Sequence, residues 1–141
     1  MELLLATRSA HKVQEIRTIL SAIPRLTVLD LDDIGLEWRD EEEALEPFDT
    51  FEENARSKAE YFHARTGLPT VADDSGLEVD ALGGAPGVRS KRFAPVEGLT
   101  GYKLDHANNN YLVERLGALE PEKRTGQYIC VAALLGFTSQ M

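Results

Sequence analysis

The sequence predicts an α/β protein with a mixed central sheet flanked by helices. Three observations carry this expectation. Short apolar runs alternate with helical stretches in the order β-α-β-α-β-loop-α-β. The 141 residues, 43% of them hydrophobic, suit one domain with a real core and are few for two. The run 131–135 is apolar at every position, the pattern of a strand buried on both faces.

Leu3 to Ala6 reads as a short buried strand. A polar turn, Thr7 to Lys12, leads into a helix over Lys12 to Ser21, where Val13, Ile16, Ile19 and Leu20 recur at helical spacing. Pro24 ends that region, and Leu26 to Leu31 forms a second strand. Asp40 to Glu46 is an acidic loop, with five carboxylates in seven positions. A long helix follows over Thr50 to Thr66. Thr50 is its N-cap, with Glu53 as the capping-box partner, and Phe51, Ala55, Ala59 and Phe62 form its buried side. Gly67 and Pro69 are a stop signal. Leu68 to Ala72 is a third strand, and Ser75 to Arg92 an ordered loop with short strand pieces. Leu104 to Leu116 is a helix with Leu112, Val113 and Leu116 apolar, closed by Gly117. Gln127 to Phe137 is the last strand. The following Thr138-Ser139-Gln140-Met141 makes it read as a strand cut short, so residues 1–141 are expected to form a single incomplete domain.

Lys and Arg number 15 against 24 Asp and Glu, a net charge of -9. That balance argues against nucleic-acid binding, which needs a basic face. It leaves room for a small anionic substrate, because a bound cation and a few placed Lys and Arg residues reverse the local field. Cys130 is the only cysteine, so no intramolecular disulfide forms, and its apolar surroundings lead us to expect burial. The start, Met1-Glu2-Leu3-Leu4-Leu5, has an acid where a signal peptide carries basic residues. No run approaches the length of a membrane span. A cytoplasmic protein is expected.

Three segments carry candidate chemistry. Thr7-Arg8-Ser9-Ala10-His11-Lys12 joins a strand to a helix. A helix start offers backbone N–H groups and partial positive charge to an anion, with hydroxyls from Thr7 and Ser9 and a full charge from Lys12. The alternative is an ordinary capped helix start. Asn54 and Lys58 are four apart on one helix face, and Glu46 precedes that helix within reach of a metal. The alternative is an acidic loop and a surface helix face, and Glu41, Glu42 and Glu43 are taken as solvated charges. Asp73-Asp74-Ser75 begins where an apolar strand stops, before three glycines and a proline within the five residues Gly83 to Gly87. Successive strand side chains face opposite ways, so the two acids are expected to differ in role: one holds structure, one faces a cleft. Paired carboxylates suit Mg²⁺, which shares oxygen ligands with substrate phosphates. The alternative is a capped turn. Arg89, Lys91 and Arg92 add three cations in four residues.

Taken in order, Ala6-Thr7 with Lys12 and Glu15, then Thr50-Phe51 with Glu53-Asn54-Ala55 and Lys58-Ala59, then Ala72 through Val88 resemble the Ham1-like inosine triphosphate pyrophosphatases. The resemblance runs nearly the whole chain, and the Asp73 to Val88 block is its most specific part. It implies hydrolysis of noncanonical purine nucleoside triphosphates (ITP, dITP, XTP) to the monophosphate and pyrophosphate, in nucleotide-pool sanitation. It also implies Mg²⁺ as cofactor and a homodimer. By resemblance, Thr7, Arg8, Ser9, Ala10, His11 and Lys12 cradle phosphates, and Asn54, Lys58, Ser75 and Arg92 join them at the substrate. Glu46 and Asp74 hold the metal, and Asp74 is also the proton acceptor for the attacking water.

Three departures stand out. Ser9 replaces the family's Asn and offers one hydroxyl donor where an amide offers two N–H groups. Arg89 takes the place of an aromatic residue before Ser90. The family's Phe-Gly-Tyr-Asp and Ser-His-Arg segments, which help recognise the base, do not occur. The chain therefore reads as an Ham1/ITPase-like fold missing C-terminal elements. The alternative function is a truncated, catalytically impaired nucleotide-binding or oligomerising protein of the same fold.

Overall fold

The computed structural model describes residues 1–137. They form two compact units. One comprises Met1–Asp74 and the chain from Val131 onward, the other Ser75–Cys130. A four-stranded sheet has the order β2-β1-β3-β4, where β1 is Glu2–Leu5, β2 Thr27–Asp30, β3 Thr70–Val79 and β4 Gly126–Leu135. Each unit holds part of β3 and part of β4.

In the first unit, β1 is parallel to β2, with Leu4 opposite Leu29, and parallel to β3, with Leu4 opposite Thr70. Parallel neighbours need a crossover. Helix α1, Ala10–Leu20, supplies it between β1 and β2, and helix α2, Phe51–Thr66, precedes β3. The core gathers Leu4, Ala6, Leu31, Ala59, Phe62 and Ala72. Helix α2 enters it as its spacing predicts, with Phe51, Ala55, Ala59 and Phe62 buried. Its start is fixed by Thr50, whose hydroxyl accepts from the Glu53 N–H at 3.2 Å and donates to the Glu53 carboxylate at 3.0 Å. Its end is Gly67, at φ 69°, a left-handed cap that costs a glycine little.

The direction of β4 follows from two close approaches. At its start, a Cβ on Gly126 would lie 2.6 Å from the Glu78 carbonyl oxygen. Beyond its end, one on Gly136 would lie 2.7 Å from the His63 ring and 3.2 Å from the Pro69 Cα. β4 therefore runs antiparallel to β3, and the sheet is mixed, as expected.

The second unit opens with the end of β3 and a 3₁₀ turn over Asp80–Leu82, after which Gly83 takes a left-handed conformation. A second 3₁₀ stretch, Gly87–Arg92, is tied back by Ser90, whose hydroxyl accepts from the Leu77 N–H at 2.9 Å and donates to the Gly87 carbonyl. Helix α3, Gly101–Leu116, buries Asn108, which accepts the Ala94 N–H at 2.8 Å.

Five expectations need correction. β3 does not stop at Ala72 but runs to Val79, so Asp73, Asp74 and Ser75 lie inside a strand. The acidic loop is a 3₁₀ helix over Asp40–Ala44, and Glu42 within it is buried rather than solvated. α3 begins three residues earlier than its apolar positions suggest, and Val113 is exposed. β4 is exposed over 126–128 and then alternates half-buried and exposed side chains instead of burying both faces, so within the described residues only one of its faces is covered. Cys130, on its exposed side, is therefore not buried. The expectation of a strand cut short bears on residues 138–141, which lie outside the described residues.

Candidate functional site

The turn between β1 and α1 is built by its own hydroxyls. Thr7 Oγ1 accepts the Ser9 N–H at 3.1 Å, and Ser9, the N-cap of α1, accepts the Lys12 N–H at 3.3 Å. Ser9 thus performs as a cap, which satisfies one orphan donor of the helix start. Ala10 and His11 are exposed in the first helical turn.

From this turn Lys12 reaches β3. Its Nζ lies 2.9 Å from Asp73 Oδ2, with both side chains largely buried. Burial works against the ammonium charge, but its hydrogen bond to Asp73 and the charges of Asp73, Asp74 and Glu46 outweigh it and hold the pKa above the usual lysine value. Lys12 is a fixed cation.

Asp74, the next residue of β3, turns the other way. Its Oδ2 accepts from Asn54 Nδ2 at 3.1 Å. Asn54 is almost wholly buried and also clamps the chain before α2: it accepts the Phe48 N–H at 2.9 Å and donates to the Phe48 carbonyl at 3.1 Å. Burial pushes the Asp74 carboxyl up. Asn54's hydrogen bond opposes this, Glu46 adds to it, and Lys58 and Lys12 hold it down, with a net rise above the usual aspartate value. Lys58 meets Glu46 at 2.6 Å. Lys12, Glu46, Asn54, Lys58, Asp73 and Asp74 thus form one electrostatically coupled group within the first unit. The two acids meet different partners, in keeping with strand alternation: Asp73 pairs with Lys12, and Asp74 is a partly buried carboxylate of raised basicity.

Glu46 and Asp74 are the two carboxylates that could share a hard cation, a donor number that suits Mg²⁺ completed by phosphates and water. Among the described residues no cluster of three or more acidic, His or Cys side chains is placed to hold a metal by itself.

Arg8 takes a different direction from Lys12. Its Nε and Nη2 donate to the two oxygens of Glu42 at 2.9 Å each, and Nη1 donates to the Leu36 carbonyl at 2.7 Å. Sequence reasoning missed Glu42. Between Glu41 and Glu43 it has no distinguishing signal, and its partner lies 34 residues away. On the β2 side of α1, a cavity of about 310 Å³ is lined by Thr7, Arg8, Ala10, Val13, Gln14, Arg17 and residues 30–32. Lys12 is not part of that lining, so the turn presents two distinct sides.

Ser75 and Arg92 belong to the second unit. Ser75 Oγ lies 3.5 Å from the Tyr128 hydroxyl, and Arg92 is exposed at the end of its 3₁₀ stretch. No helix among the described residues is long and apolar enough to cross a membrane.

A family model described as the Ham1 family matches residues 3–140. A dITP/XTP pyrophosphatase of Frankia alni is 43% identical over 135 residues, covering 96% of this chain and 64% of the relative. One from Thermus thermophilus is 42% identical over 134 residues, covering 95% and 59%. Among solved structures, the Staphylococcus aureus Ham1 protein superposes with a TM-score of 0.75 at 31% identity, over 99% of this chain and 66% of that one. A nucleoside-triphosphatase, or dITP/XTP pyrophosphatase, of Mycobacterium abscessus gives a TM-score of 0.70 at 35% identity, over 95% and 65%. The chain thus spans less than two thirds of the length of these relatives.

Proposed function

This chain belongs to the Ham1 family, and on that premise we propose that it hydrolyses noncanonical purine nucleoside triphosphates (ITP, dITP, XTP) to the monophosphate and pyrophosphate. The observation that carries the reading is the coupled group of Lys12, Lys58, Glu46, Asp74 and Asn54 within one unit. It joins fixed cations to a carboxylate of raised basicity.

In the proposed reaction, Lys12 and Lys58 bind and orient the polyphosphate. Each has a carboxylate partner that holds it in place. The N–H groups at the start of α1 add donors for the phosphate oxygens. Asp74 accepts the proton of the attacking water, a role that favours a carboxylate more basic than usual. Water adds to phosphorus, the phosphoanhydride bond breaks, and pyrophosphate leaves with the bonding electrons. Glu46 and Asp74 would hold Mg²⁺, which when bound neutralises charge on the polyphosphate. For Ser75 and Arg92 the proposal of substrate contact rests on the family resemblance alone. A homodimer and a cytoplasmic location belong to the same proposal.

Steady-state pyrophosphate release with Mg²⁺ tests the reading. ITP, dITP or XTP should turn over well above ATP and GTP, and Asp74→Asn should lower kcat by about 10²- to 10⁴-fold. Turnover of none of these by the wild-type chain would defeat it. Calorimetric nucleotide binding without turnover would favour the alternative of an impaired nucleotide-binding protein.

A further inference from the structure

Glu42 is a buried carboxylate that the proposed reaction does not use. Its side chain is 2% exposed, and groups from three elements converge on it. Arg8 of the turn forks onto both oxygens at 2.9 Å. The Arg39 backbone N–H donates to Oε2 at 2.8 Å, and Arg65 Nη1 of α2 lies 3.7 Å from the same oxygen. Arg8 also lies over the Phe62 ring, 5.8 Å from its centre, and donates to the Leu36 carbonyl. A bidentate arginine–carboxylate pair fixes orientation as well as charge. As a source of net stability it is poor, because desolvation of both ions offsets their attraction.

What this pair joins is specific. Arg8 sits in the turn four residues before Lys12. Glu42 sits in the 3₁₀ segment four residues before Glu46. One clamp thus ties the phosphate-side turn to the segment that carries a candidate metal carboxylate. We propose that Glu42 and Arg8 act as positioning residues that hold Lys12 and Glu46 in register for a metal–polyphosphate complex. Arg8 works here through Glu42 and not by touching phosphate. The inference rests on the proposed triphosphate hydrolysis.

A double-mutant cycle tests it. Arg8→Met, Glu42→Met and the double variant are compared for melting temperature and for kcat and KM with ITP. Replacing both ions by apolar groups should leave the double variant more stable than the Glu42→Met variant, with the remaining loss set by the Arg39 N–H and Arg65 that Glu42 also pairs. Its kcat/KM should nonetheless fall about 10- to 100-fold, and each folded single variant should show the same fall. Recovery of full activity with full stability in the double variant would mean a structural pair only and would overturn the proposal. So would a fall on Arg8→Met that persists in the Glu42→Met background, since that marks direct phosphate contact. Hydrogen exchange on the nucleotide-free protein separates this idea from the assignment of activity. Glu42→Gln should speed exchange in 7–12 and 40–46 together. Unchanged exchange there overturns the clamp, whereas a wild-type protein without turnover overturns only the assigned reaction.

Discussion

Asp73 and Asp74 differ by one position and by nearly everything else. Asp73 faces Lys12 at 2.9 Å, and Asp74 faces the amide of Asn54 at 3.1 Å. That division was legible, because side chains of a strand alternate. Which acid meets which partner was not legible in the residues themselves, since neighbouring aspartates are chemically identical until a fold supplies their partners; only the family resemblance singled out Asp74. Glu42 shows the opposite case: its burial depends on Arg8, a contact no local pattern encodes. Lys12→Met removes a charge-assisted hydrogen bond from a buried carboxylate and should lower stability by about 2–3 kcal/mol in urea denaturation. It should also raise the KM for ITP, because the same ammonium is proposed to meet phosphate. Asp73→Asn should reproduce part of both effects through Lys12.

At the scale of elements, α2 is the part most fully written in the chain. Its cap, buried face and glycine stop are local signals that agree with one another. Phe62, 2% exposed in the core, should cost about 3–5 kcal/mol when changed to Ala, read from the denaturant midpoint. Thr50→Ala should cost about 1 kcal/mol by the same measurement. β3 was legible only to Ala72. Asp, Ser and Gly are poor strand formers, yet β3 has β4 as its other neighbour in the sheet and continues through them to Val79 after its pairing with β1 has ended at Val71. The 3₁₀ segment 40–44 makes a pH prediction. Burial alone would raise the Glu42 carboxyl, but Arg8, the Arg39 N–H and Arg65 reverse this and leave it below the usual glutamate value. A lowered acid stabilises the fold above its unfolded pKa and loses that contribution as pH falls through the folded one. The melting temperature should therefore drop as pH falls below the ordinary glutamate range, and Glu42→Gln should flatten that drop.

For the molecule as a whole, the net charge of -9 means that the proposed polyanionic substrate needs Lys12 and Lys58, together with the proposed cation at Glu46 and Asp74, to offset the local carboxylates. Composition alone could not bring together residues 12, 46, 58 and 74. Motif spacing did that through resemblance, and the fold gives the reason: β1, α2 and β3 meet at one core. The proposal requires a divalent cation, so chelation with EDTA should abolish pyrophosphate release and Mg²⁺ should restore it. Mg²⁺ with a nonhydrolysable triphosphate should stabilise the fold by mass action, by about 2.7 kcal/mol at a hundredfold excess over Kd, read as a raised melting temperature.

The continuation of β3 through Asp74 makes the site a matter of odd and even. Thr70 is held opposite Leu4, so counting along the strand starts from a fixed point. Delete one residue between Thr70 and Asp73, and every acid and every lysine is still encoded. Yet Asp74 would then occupy the place facing Lys12, and Ser75 the place beside Asn54. Lys12 would still meet a carboxylate, while the position of raised basicity would hold a hydroxyl. A lesion of one codon would remove the proposed base by changing its parity, with no acid and no lysine lost from the chain.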